Sequence, residues 1–77
     1  MELRTYEVEF AAGGYPTPVY RGTVKVGLLI AATDNENDIE QRVFERAKRR
    51  VSEQMAMARS MVNIKGFELK STEQVSA

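Results

Sequence analysis

Cysteine, histidine and tryptophan are all missing from this 77-residue chain, and proline occurs only twice. Without cysteine there is no disulfide, no thiolate metal site and no thiol nucleophile. Without histidine the commonest general base and the imidazole metal ligand are gone too, which leaves carboxylates, lysines and tyrosines for any chemistry. Net charge is also missing: 11 Lys and Arg balance 11 Asp and Glu. The whole chain therefore exerts no bulk attraction on nucleic acid or an anionic membrane, and only a local patch could do so. The longest apolar run, residues 27–32, is far too short to cross a bilayer. Residues 1–6 lack the apolar core of a signal peptide, so a cytoplasmic location is expected. No catalytic residue, cofactor or metal ligand set is indicated.

What is present is an ordinary globular composition, 43% hydrophobic and 29% charged, which argues for a folded chain. At this length a single core buries only about 60% of the surface of the unfolded chain. Marginal stability, or support from a partner chain, is expected.

The organising stretch is residues 35–61. On a wheel of about 100° per residue, Ile39, Phe44, Val43, Ala47, Val51, Met55, Met57, Ala58 and Met61 fall within an arc of about 160°. Opposite them lie Arg42, Glu45, Arg46, Lys48, Arg49, Ser52, Glu53 and Arg59. This predicts one long amphipathic helix. Two capping boxes, Thr33 with Glu36 and Asn37 with Glu40, compete for its start, and Asn63 is a candidate left-handed stop.

Around the helix the period is two. Tyr6, Val8 and Phe10 alternate with Glu7 and Glu9, predicting a strand over residues 3–10. A Gly-Gly-Tyr-Pro-Thr-Pro loop, residues 13–18, leads into a second strand over 19–32, with a twist or a bulge expected near Gly22 or Gly27. A third strand is expected over 64–70, with Phe67 and Leu69 inward and Gly66 at a bulge or a close backbone approach. Residues 1–70 then form one domain, and 71–77 a flexible tail.

The predicted fold is α+β, in the order β-β-α-β: a mainly antiparallel three-stranded sheet with one long helix packed on one face. Order 3-1-2, with the first strand central, is favoured over a parallel crossover beside the second strand because the connection into the third strand is short. A helix of about 27 residues would be about 40 Å long, against a sheet about 15 Å wide. Surplus apolar surface is therefore expected on the helix, at its methionine-rich end.

Three surfaces are candidates for function. Tyr15, at the tip of a loop between two glycines and two prolines, suits recognition, since tyrosine gives a large contact area for little entropy; the plainer reading is a hairpin loop with Tyr15 tucked onto the sheet edge. Arg21 accompanies it on the second strand. Met55, Met57 and Met61 with Leu29 form either an irregular core edge or an adaptable surface for protein binding. Arg42, Arg46, Arg49 and Arg50 make a basic stripe that could track a phosphate backbone, although Glu45 and Glu53 stand four residues from Arg49, the spacing of ordinary surface pairs. The run Asp34-Asn35-Glu36-Asn37-Asp38 lacks the glycine and distal glutamate of a calcium loop and reads as capping.

In its size and its strand-strand-helix-strand order, and in lacking cysteine and histidine, the chain is similar to many accessory proteins of phages and other mobile elements. That resemblance implies a small non-enzymatic binding protein that modulates a host protein by stoichiometric contact. The alternatives are a nucleic-acid-binding module using the basic helix face, and a structural homo-oligomer whose helices pair through Val51, Met55, Ala58 and their neighbours.

Overall fold

The computed structural model describes residues 1–14 and 19–75. Strand β1 spans Glu2–Ala12 and strand β2 Tyr20–Ile30; helix α1 spans Glu36–Met55, a short 3-10 turn Arg59–Met61, and strand β3 Val62–Gln74. The sheet order is β2-β1-β3 with both pairings antiparallel. This is the α+β architecture expected, with the first strand central and the helix on one face.

Pairing of β1 with β2 is continuous from Glu2↔Ile30 to Ala12↔Tyr20. The bulge expected in β2 is absent: Gly22 and Gly27 sit in regular ladder positions opposite Phe10 and Thr5. An added side-chain carbon at Gly22 would meet the Phe10 ring at 3.4 Å, close to ordinary van der Waals contact, so the Phe10 ring lies beside Gly22. Both irregularities fall in β3, between the partners of Thr5 and Tyr6 and between those of Glu9 and Phe10. The second of these is the bulge expected at Gly66.

One face of the sheet carries Tyr6, Val8, Val24, Val26, Leu28, Ile30 and Val62, all buried, against Ile39, Val43, Ala47 and Val51 of the helix. Five valines, at 8, 26, 43, 51 and 62, are essentially sealed from solvent. Each contributes roughly 1.5–3 kcal/mol relative to an exposed side chain. No buried side-chain polar atom among the described residues lacks a partner.

The helix is shorter than its sequence implies. It starts after Asn35, whose backbone is extended and whose Oδ1 accepts the Asp38 N–H at 2.8 Å. Asn35 Nδ2 donates in return to Asp38 Oδ2 at 3.0 Å. This reciprocal cap takes the place of both expected boxes. The helix ends at Met55 because Ala56 turns left-handed, at φ 52° and ψ 47°, and the N–H groups of Ala56 and Met57 both return to the Ser52 carbonyl. That closes the last turn in a Schellman-type stop. Asn63 is consequently no cap but a strand residue opposite Ala11. The early stop lets Val62 bury beside Ala12, and the Gly13 N–H donates to the Met61 carbonyl at 3.0 Å.

At its other end β3 continues through Gln74, opposite Glu2, and the Val75 N–H donates to the Met1 carbonyl at 3.0 Å. Residues 71–74 therefore belong to the sheet and not to a tail. The lengths now reverse the expected surplus. A helix of 20 residues is about 30 Å long. A strand of 13 reaches about 44 Å. Helix and strands run side by side along a molecule 48 Å in its longest dimension. The sheet, not the helix, has apolar surface to spare.

Candidate interaction surface

The two edges of the sheet differ. At β2 the helix arginines reach down to the backbone: Arg42 donates to the Leu29 carbonyl at 3.2 Å, and Arg50 to the Lys25 carbonyl. Arg42 also lies 3.5 Å from Asp34. Lys25 and Leu29 share the strand parity that points away from β1, so these bonds satisfy outward carbonyls of the free edge. These two bonds occupy outward carbonyls at Lys25 and Leu29 and hinder strand addition along that part of the edge. The basic stripe read from the sequence thus includes two residues that close β2. A third, Arg49, pairs with Glu53 at 3.1 Å, and Arg46 lies beside it in a shallow polar depression floored by Leu28.

At β3 nothing comparable is found among the described residues. Phe67 and Leu69 point to the helix side of the sheet, as expected, but remain 39% and 46% exposed because the helix lies toward β2. The Phe67 ring meets Phe44 edge-on at 5.3 Å and Tyr6 at 5.9 Å, forming an aromatic step from core to edge. Beside it runs an open groove of about 530 Å³ between helix and strand, floored by Tyr6, Ile39, Phe67 and Leu69. Its rim is polar. Arg4 spans it, 2.6 Å from Glu2 and 3.4 Å from both the Tyr6 hydroxyl and Glu36 at the helix start. The Tyr6 hydroxyl and then the Glu2 carboxylate raise the Arg4 guanidinium above its ordinary value, so this strap stays charged at every working pH.

The other sequence candidates are dispersed. Tyr15 lies outside the described residues. Arg21 is on the outer face of the sheet, opposite Ala11, and Leu29 on the same face opposite Leu3, about half exposed. Met55 and Met57 pack partly buried against the core, and Met61 is half-buried in the 3-10 turn. Val51, offered for helix-to-helix pairing, is sealed in the core, and Ala58 is exposed beyond the end of the helix. Glu7 faces Lys25 and Glu9 faces Thr23 across the ladder. Among the described residues no cluster of acidic side chains could hold a metal ion.

Fold and surface together define a small α+β sheet-and-helix protein with one closed and one open sheet edge. Compared with protein-family models, curated proteins and solved structures, the chain finds no match. No described helix is long and apolar enough to cross a membrane.

Proposed function

We propose that the protein is a non-enzymatic binding protein that acts by stoichiometric protein-protein contact, and that the contact is made along β3. The observation that carries this reading is the asymmetry of the edges: arginines cover β2, whereas β3 presents an unpaired ladder next to exposed Phe67 and Leu69. An exposed strand with apolar side chains is the element to which a further strand adds, main-chain bonds supplying affinity and side-chain contacts supplying selectivity. Basic residues that would serve a phosphate backbone are in part committed elsewhere, which favours a protein partner over nucleic acid.

The test compares wild type with Leu69→Lys and with Leu29→Lys, an equally exposed site on the outer face. A stoichiometric protein complex, with itself or with a captured protein, that Leu69→Lys abolishes and Leu29→Lys preserves supports the reading. Complexes insensitive to Leu69→Lys, measured on protein whose circular dichroism is unchanged, would overturn it.

A further inference from the structure

We infer that the occupant of this edge is a second copy of the chain, paired antiparallel through β3 about a two-fold axis at Glu68, so that two sheets join into one of six strands. The inference rests on the reading above and names its partner.

Backbone parity supplies the first observation. The bonds Gly13 N–H to Met61 and Val75 N–H to Met1 fix which residues of β3 face β1 at its two ends. Between them the odd-numbered residues of β1 stand opposite Asn63, Gly66, Glu68, Ser71 and Glu73. An antiparallel ladder alternates bonded and non-bonded pairs. Phe67 and Leu69 therefore direct their N–H and C=O groups away from β1, to the free edge.

The bulges supply the second. The register leaves Lys65 and Lys70 without partners in β1, so Lys65 with Gly66 and Lys70 with Ser71 each form a bulge. Each bulge shifts the alternation of faces by one residue. A two-fold axis at Glu68 exchanges the two bulges: Lys65 falls opposite Ser71 of the second copy, and Gly66 opposite its Lys70. The faces then agree along the whole strand, with Ile64 opposite Thr72 and Val62 opposite Gln74. An axis at Gly66, Phe67, Leu69 or Lys70 instead sets a bulge of one copy against regular strand of the other.

Side chains fit the same axis. Phe67 lands opposite Leu69 of the second copy in a pair whose outward groups bond each other. The exposed Phe67 and Leu69 of each chain are thereby covered by those of its mate. On the outer face Glu68 meets its own counterpart, but Lys70 already lies 3.2 Å from Glu68. The Lys70 of the second copy is its diagonal neighbour across the ladder, a distance that long side chains reach. Glu68 also faces Glu7 on β1, and Glu7 in turn faces Lys25, so the carboxylates of this face are interleaved with Lys25, Lys65 and Lys70 of each chain.

The absence of cysteine makes the test clean. A non-bonded antiparallel pair on the axis has its Cα atoms about 4.5 Å apart, within the roughly 4.4–6.8 Å that a disulfide spans. Purified Glu68→Cys protein at micromolar concentration should oxidise to a covalent dimer about a thousandfold faster than Lys25→Cys protein, because pairing raises the local thiol concentration from micromolar to millimolar. Adding Leu69→Lys should return the rate to that of Lys25→Cys. Wild type should scatter light as a dimer and Leu69→Lys as a monomer. Equal rates for the two cysteine variants, or no cross-link at Glu68→Cys, overturns the pairing. A monomeric wild type that captures another protein through the Leu69 surface also overturns self-pairing, while leaving the binding function in place.

Discussion

Ala56 decides where the helix ends, and it does so in a backbone conformation that alanine dislikes. A left-handed residue costs alanine roughly 1–2 kcal/mol, of which glycine would avoid most, offset by about 0.4–1 kcal/mol of extra freedom in the unfolded chain. Ala56→Gly is therefore expected to stabilise the protein by about 0.5–1 kcal/mol and to raise Tm by about 2–8 °C, read by thermal unfolding. A fall in Tm would show that Ala56 is not held as described. The same residue explains why the stop was illegible in the sequence. Alanine is the best helix former, and the apolar period continues through Met57, Ala58 and Met61 without glycine or proline. What stops the helix is tertiary: Val62 must reach its buried place beside Ala12. The start was more legible, since acceptor side chains crowd residues 33–38, yet the choice among them falls to Asn35 through its paired bonds with Asp38.

Among the elements, β1 and β2 were readable because aromatic and β-branched residues alternate in them with charge. β3 was readable only in its middle. Beyond Leu69 the Lys70 bulge breaks the alternation, and Ser71-Thr72-Glu73-Gln74 carries no apolar signal, so its pairing with residues 2–5 of β1 leaves no trace in composition. The face of Phe67 and Leu69 was legible; their exposure was not, because it depends on where the helix lies across the sheet. The helix lies toward β2, where Arg42 and Arg50 bond to the edge carbonyls. Removing both arginines, as Arg42→Ala with Arg50→Ala, should uncover a second edge. Higher-order association by sedimentation is expected above that of wild type, with the secondary structure intact. Unchanged sedimentation would mean that the arginines do not guard β2.

For the whole molecule, the order β2-β1-β3 and the single helix layer followed from element order and short connections. The surplus surface did not, because it depends on where the helix stops and on its direction over the sheet, and neither was legible in the sequence. A helix laid along the strands covers part of the sheet, and the uncovered part is the margin beside β3. Small domains bury a modest fraction of their surface, so a strand-to-strand contact that extends the sheet adds core where this chain has least.

The most direct measurement is amide hydrogen exchange at Phe67 and Leu69, followed by NMR over a dilution series. Neither N–H has a partner among the described residues on its side of β3, so protection there reports an occupied edge. Both amides are expected to be protected at high concentration and to lose that protection on dilution, while Val8 and Val26 in the core stay protected throughout. Fast exchange at Phe67 and Leu69 at every concentration would contradict pairing through β3.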